Sequence, residues 1–431
     1  MLSTHSDGTG AFDSSVDVPK IRRDRLLKRF LQYVAVDTTA DPDRAAYPSS
    51  TGQSDFTNHL ADQLRAMGLV DVVQDPYGLV YATIPATVGH DAPTVALVAH
   101  VDTSPEAPGA GVSPRVIESY DGDDIELNNG SVIRRETVDD MDALVGKTLV
   151  VTDGTTLLGG DDKAGVAIIM ELAETLIENP HLRHGPVRLL FTCDEEIGSG
   201  TKYIDLERLA AMVAYTIDGG AAGIIDVETF SADGASVTFT GHNIHPSIAK
   251  GRMVNAVRAA ADFVAALPRT DTTPETTDGR DGFIHPHTIT GGVGEATVRL
   301  IMRSFDNDDL ITYAETIRGV ADAVVEATPG LRARVEVHPQ YRNLGEGLRK
   351  LPESVDLAIQ AFENLQRPHR KMIIRGGTDG SQLTEMGLPT PNLSSGQYNI
   401  HSTGEFACLD DMIESTEHLV ELLRLWGDQA S

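Results

Sequence analysis

Residues 148–192 read TLVVTDGTTLLGGDDKAGVAIIMELAETLIENPHLRHGPVRLLFT. The stretch opens on a short apolar run, TLVVT (148–152), and passes through a glycine-rich acidic loop. It continues as AGVAIIMELAETLIEN (164–179), with apolar residues at helical spacing, and closes on a second apolar run, VRLLFT (187–192). Strand, helix and strand in that order predict an α/β fold built on a mostly parallel sheet buried on both faces.

The flanking sequence extends this pattern. DRLLKRFLQYVAV (24–36) and SDFTNHLADQLRAMGL (54–69) read as helices, the second capped by Gly68. LVYATIP (79–85), TVALVAHV (94–101) and MVAYTID (212–218) read as strands. Near residue 228 the pattern changes. ASVTFTG (235–241), a helix over 251–268, HTITGG (287–292), ATVRLIMRSF (296–305), a helix over 308–330 and RARVEVHP (332–339) follow the order β-α-β-β-α-β of a ferredoxin-like α+β domain. The first pattern then resumes with a helix at 353–365, KMIIRGG, the loop LSSGQYNIHSTGEF and a closing helix at 409–426. The expected organisation is a polar, disordered arm over 1–22, a first part of one domain over 23–227, an inserted domain over 228–345 and the second part over 346–431.

Composition narrows the function classes. The 431 residues are too many for one compact core, in keeping with two domains. Acidic residues outnumber basic ones 64 to 35, for a net charge of -29, which argues against nucleic-acid and anionic-membrane partners. Two cysteines, Cys193 and Cys408, do not make a disulfide framework, and a reducing cytoplasm is the expected compartment. Neither a signal-peptide core nor a membrane-spanning apolar run is present in the sequence. The acidic surface leaves monomer and homodimer both open.

The chemistry gathers where strand-like runs end. TVALVAHVD ends at His100 and Asp102, VRLLFTCDEE at Glu195 and Glu196, and MVAYTIDGG at Asp218. Ligands in open α/β sheets bind beyond the carboxyl ends of strands. Asp161 and Asp162 sit in GGDDKAG just before a helix, and His401 in YNIHSTGEF. Carboxylates and imidazoles are donors for zinc and other first-row divalent ions, and a pair of such ions answers the clustering of negative charge. One arrangement gives His100 and Asp218 to one metal, Glu196 and His401 to the other, and Asp161 to both. Glu195 is then left as a base for water, and Asp102 as the acid that orients His100.

Each motif also has a plainer reading. H-x-D is commonly a hydrogen-bonded pair, and D-E-E a solvated turn, which is the reading given to Asp194. GGDDKAG reads as a capped helix start and Asp218 before Gly-Gly as turn chemistry. His401 alone reads as structural. What these readings leave unexplained is the coincidence of so many such ends in one sheet pattern. Lys163 reads as a charge neutraliser beside Asp162, and Cys193 as a small core residue. The chain has no G-x-S-x-G elbow.

HVDTSPE, LLGGDDKAG, FTCDEEIGSG, YTIDGG, GHNIHPSIAKGRMVNA, IRGGTDGSQL and YNIHSTGEF stand in this order. In order and spacing the chain from about residue 24 to 428 resembles the peptidase T family, the tripeptide aminopeptidases of the dinuclear-zinc M20 metallopeptidases. The resemblance implies a bridging Asp161, His100 with Asp218 on one zinc, Glu196 with His401 on the other, Asp102 as orienting acid and Glu195 as general base. It further implies that the inserted domain is a lid and that His245 reaches the oxyanion of the reacting carbonyl. Cys193, where proline is commoner, the STGEF after His401 and the N-terminal arm depart from the family pattern.

Two further residues carry open readings. Arg375, in RGGTDG, could grip the peptide C-terminal carboxylate or pair with Asp379. Asn255 could bind substrate or lie on a helix face. The expected activity is removal of the N-terminal residue from short peptides, with a dipeptidase or N-acyl amino acid deacylase as the rival on the same scaffold. A non-catalytic metal-binding protein would have no use for Glu195.

Overall fold

The computed structural model of the chain describes residues 18–430. The expected arm therefore lies outside the described residues as far as residue 17. Its last part does not behave as an arm: Ile21 is buried in the main core and Val18 packs against it, directly before the helix Arg23–Val34.

A central sheet of eight strands organises the larger unit. In spatial order the strands are Val70–Gln74, Val80–Ile84, Val187–Thr192, Val95–His100, Val213–Gly219, Asn392–Ser394, Ile224–Thr229 and Arg370–Ile374. The four from Val187–Thr192 to Asn392–Ser394 run parallel, and their neighbours on either side, Val80–Ile84 and Ile224–Thr229, pair antiparallel to them. Alternation along one strand shows why the sequence reads as continuously apolar. Val95, Leu97 and Ala99 face one core and Ala96 and Val98 the other. The helices Arg23–Val34, Gly160–Glu178 and Leu409–Gly427 contribute to the first of these cores. Arg25 and Arg29 both clamp the buried carboxylate of Glu171, at 2.8 and 2.7 Å, and so tie the first helix to the central one.

One expected strand belongs elsewhere. Leu149–Val151, within TLVVT, does not join the central sheet. It pairs antiparallel with Phe406–Cys408 and Arg115–Ile117 in a small four-stranded sheet over its own core, which includes Tyr120, Leu144 and Phe406. Three residues of apolar pattern fit either sheet. The partners that decide are distant in sequence.

Between Ile224–Thr229 and Arg370–Ile374 lies a second antiparallel sheet, in order Phe283–Gly291, Glu295–Ser304, Ser231–Thr240 and Arg332–Tyr341. With the helices Ala256–Ala266 and Asn307–Ala327 it makes the βαββαβ unit anticipated from the sequence. Phe239, Phe263, Val298 and Ile317 form its separate core. Asn343 clasps the crossing between the units. Its Oδ1 accepts the N–H of Thr229 at 3.1 Å, while its own N–H donates to Ser231 Oγ at 2.9 Å.

Candidate metal and catalytic site

Three of the parallel strands and the loop after the fourth deliver acids and imidazoles to one place. His100 ends its strand, Asp218 is the penultimate residue of Val213–Gly219, Glu195 and Glu196 follow Val187–Thr192, and His401 follows Asn392–Ser394. Asp161 enters at the start of Gly160–Glu178, with extended backbone angles (φ −80°, ψ 105°) that turn it out of the helix. The helix approaches the strand closely at Gly165, where a Cβ would stand 2.0 Å from the carbonyl oxygen of Ile217. Only glycine permits this approach, which sets Asp161 beside the end of that strand.

Asp161 sits between the two imidazoles. Its Oδ1 is 2.9 Å from His100 Nε2 and its Oδ2 is 3.3 Å from His401 Nε2. Asp218 approaches His100 Nε2 at 3.7 Å, and Glu196 Oε2 lies 2.8 Å from His401 Nε2. The five residues are thus one connected cluster with Asp161 at its centre. The other oxygen of Glu196 is buried without a partner. The cluster draws positive charge. Bonds from Asp161 and Glu196 raise His401 to about 11, and burial pushes Glu196 up to about 7 and Asp218 to about 6. Burial favours a neutral Asp161, yet His100 and His401 together hold it below the ordinary carboxylate range. Nitrogen and oxygen donors, an unpartnered carboxylate oxygen and unbalanced negative charge fit divalent cations.

Asp102 ties the imidazole to the glutamates. One of its oxygens is 3.4 Å from His100 Nδ1, and its carboxylate accepts the N–H of Glu195 at 3.1 Å and of Glu196 at 3.0 Å. Glu195 is raised well above the carboxylate range by burial, with Asp379, Asp218 and Glu196 adding to the shift. Asp194 is not the solvated turn read from the sequence. It is buried at φ 60° and accepts from the Ser49 N–H at 2.7 Å and from Gln53 Nε2 at 2.7 Å, which locks the turn that presents the two glutamates. A cavity of about 580 Å³ lies over Asp161, Glu195, Glu196, Asp218 and His401, within the usual size range of small-ligand sites.

A family model described as a peptidase dimerisation domain, of the M20 type, matches residues 227–329. The chain is 42% identical to a Peptidase T of Bacillus velezensis over 410 residues, which are 95% of this chain and 100% of the relative. A Peptidase T of Geobacillus sp. strain WCH70 is 40% identical over the same shares of both chains. The chain belongs to the peptidase T family. Among solved structures, aminopeptidase PepT from Bacillus cereus ATCC 10987 superposes with a TM-score of 0.73 at 25% identity, covering 95% of this chain and 100% of that one.

Other sequence-predicted residues of this peptidase T family chain fall away from the cluster. Arg375 neither faces the cavity nor pairs with Asp379. Its guanidinium donates to the carbonyls of Gly279 at 3.0 Å and Asp281 at 2.9 Å and to Thr277 Oγ1 at 2.9 Å, and stacks against Phe230. The Asp379 carboxylate instead accepts from Thr192 Oγ1. Asn255 is the N-cap of Ala256–Ala266, its Oδ1 accepting from Val257 and Arg258 N–H, and it does not line the cavity. His245 is exposed on the inserted unit, bonded to Ser247, and not among the residues lining the cavity; Tyr341 is the one that unit brings there. Lys163 is buried and donates to the Val36 carbonyl rather than to Asp162.

One residue the motif reading passed over is Glu405. It is buried four positions after His401, and its oxygens accept the N–H groups of Leu158, Gly159 and Asp161. Burial pushes it up to about 7. An acid closing the loop YNIHSTGEF was the available signal. Asp162 is similarly structural, accepting from the N–H groups of His100 and Gly165.

Proposed function

We infer that this chain is a metal-dependent aminopeptidase that removes the N-terminal residue from tripeptides. The observation that carries the reading is the placement of Asp161 between His100 and His401, with Asp218 and Glu196 completing the cluster and Glu195 beside it on the cavity wall. In this reading His100 and Asp218 hold one divalent ion, Glu196 and His401 the other, and Asp161 both. Bound there, the ions supply Lewis acidity toward the scissile carbonyl and lower the pKa of water; the mixed imidazole and carboxylate donors favour zinc.

The chain's own side chains do the rest. Glu195, buried and raised, takes the proton of the attacking water and delivers it to the amine released when the C–N bond breaks. Asp102 holds the imidazole of His100 from behind and fixes the backbone of both glutamates. The inserted unit acts as a lid whose closure excludes water and brings His245 to the developing oxyanion. The match of residues 227–329 to a peptidase dimerisation domain supports a homodimer formed through that unit. Two buried free cysteines suit a reducing cytoplasm, and the net charge of -29 speaks against nucleic-acid partners. No helix of the described residues is long and apolar enough to cross a membrane.

The test is a series of unblocked di-, tri- and tetrapeptides with N-acyl amino acids alongside, assayed with and without a chelator. Tripeptides should be cut at the first bond, with activity lost on chelation and restored by zinc. Preferred cleavage of dipeptides or N-acyl substrates, or turnover that survives chelation, would overturn the reading.

A further inference from the structure

We infer that Asp226 and Gln397, braced by Asn392, form the subsite that receives the free α-ammonium group of the substrate. The inference rests on the aminopeptidase reading above and names a partner for the group that defines that activity.

All three residues line the cavity that also holds Glu196, Asp218 and His401. Asp226 lies on Ile224–Thr229, in register with Asn392 on the neighbouring strand. Asn392 spans the distance to the metal-ligand cluster. Its Oδ1 accepts the N–H of Asp218 at 3.2 Å and the hydroxyl of Thr216 at 2.9 Å, which turns its Nδ2 to donate to Asp226 at 2.9 Å. One amide therefore separates a ligand acid from Asp226. The α-nitrogen of a first residue stands only two bonds from the scissile carbonyl carbon, so its partner must lie this close to the reacting centre.

Among the described residues, Asp226 shares its lack of a cation with Asp162, Asp194, Asp379 and Glu405, but unlike Asp162, Asp194 and Glu405 it has no backbone N–H to accept from. Other buried acids have a cation. Glu171 has Arg25 and Arg29, Asp233 has Arg342, and Asp411 has Lys147. Asp226 is 6% exposed, and its hydrogen-bond partner is a neutral amide; among the described residues no cation lies within ion-pair distance of it. A buried carboxylate without a cation is unfavourable, and the cavity is the open side from which one can arrive.

Gln397 supplies the independent observation. It is 5% exposed and donates Nε2 to the carbonyl and carboxylate oxygens of Asp218, at 3.2 and 3.0 Å. Both of those atoms can only accept, so the orientation of the amide is fixed. Its Oε1 is then left buried with no partner, an acceptor awaiting an N–H. An ammonium group brings three donors and one positive charge, which matches one orphan acceptor and one uncompensated carboxylate. Ile224, Met372, Ile374 and Tyr398 wall the same cavity and suit the side chain of the first residue. An N-acyl substrate has no ammonium for this subsite, which separates an aminopeptidase from a deacylase.

The experiment compares trialanine with propionyl-alanyl-alanine, identical except for the missing ammonium, on the wild-type enzyme and on the near-isosteric Asp226→Asn variant. Metal content is measured on both. The wild type should favour trialanine strongly in kcat/KM, and the variant should lose that preference by about tenfold or more at unchanged metal content. Equal turnover of the two substrates by the wild type overturns the inference without need of a variant, as does an unchanged preference in a folded, metal-loaded variant. Selective loss of a lysine-first tripeptide at unchanged preference would assign Asp226 to a side chain instead. Failure of the wild type to cut either substrate removes the aminopeptidase reading itself, and this inference with it.

Discussion

Glu405 accepts the backbone N–H of Asp161 at 3.0 Å, so the loop that carries His401 grips the helix start that carries the central acid of the cluster. The other oxygen of Glu405 takes the N–H groups of Leu158 at 2.8 Å and Gly159 at 3.0 Å. In Glu405→Gln an amide nitrogen replaces one of these oxygens and cannot accept. Divalent-metal affinity should fall by about 10–100-fold, read by competition with a chromophoric chelator, while the far-UV circular dichroism stays the same. Unchanged affinity would remove the positioning role.

The two adjacent glutamates should separate in a metal count. Glu195 is held through its backbone by Asp102, while Glu196 touches His401 at 2.8 Å. Glu195→Gln should retain both metal equivalents and lose turnover by several orders of magnitude. Glu196→Gln should bind one equivalent less. Full activity in the first variant sinks the assignment of the base.

His418 gives a pH prediction away from the site. Burial lowers it to about 4, with Arg367 and His369 adding to the shift against the bond that its Nε2–H donates to the Ala358 carbonyl at 2.8 Å. The native state holds this imidazole neutral, whereas the unfolded chain protonates it near pH 6.5. Protonation therefore favours unfolding, and stability from this residue is present above about pH 6.5 and lost as pH falls toward 4, by roughly 3 kcal/mol in all. Urea unfolding of the wild type and His418→Phe at pH 7.5 and pH 4.5 isolates the effect. The wild type should lose ground relative to the variant at the lower pH, and a pH-independent difference would contradict it.

Arg375→Ala should destabilise the protein by about 1–2 kcal/mol, because the guanidinium binds carbonyls of the 277–281 loop. Tripeptides with free and amidated C-termini should respond equally to the substitution. A loss confined to the free carboxylate would return Arg375 to the role of carboxylate clamp.

The residues at strand ends were the most legible part of the sequence. His100, Glu196 and Asp218 each stand at or just beyond the end of a largely apolar run, and a parallel sheet places such ends together. The βαββαβ insert was legible for the same reason, since its elements are long and periodic. Side chains whose partners lie far away in sequence were not. Asp194 reads as a solvated turn because nothing nearby announces Ser49 and Gln53, and Arg375 reads as a carboxylate clamp or a partner of Asp379 because its acceptors lie in a loop about a hundred residues earlier. TLVVT was read correctly as a strand, but its choice of sheet was made by 406–408 and 115–117.

The clasp at Asn343 bears on how this chain can be rebuilt. The strand that leaves the central sheet at Thr229 and the segment that returns to it are hydrogen-bonded to each other where they cross, and Ala232 lies opposite Tyr341 in the second sheet. The chain enters and leaves the inserted unit at those neighbouring points, and Arg375 adds a second hold on its 277–281 loop. A tight turn spliced across the two points would leave the larger sheet continuous, so this is the place to graft a foreign module, or to remove the lid with His245 and ask what the acid and imidazole cluster does alone.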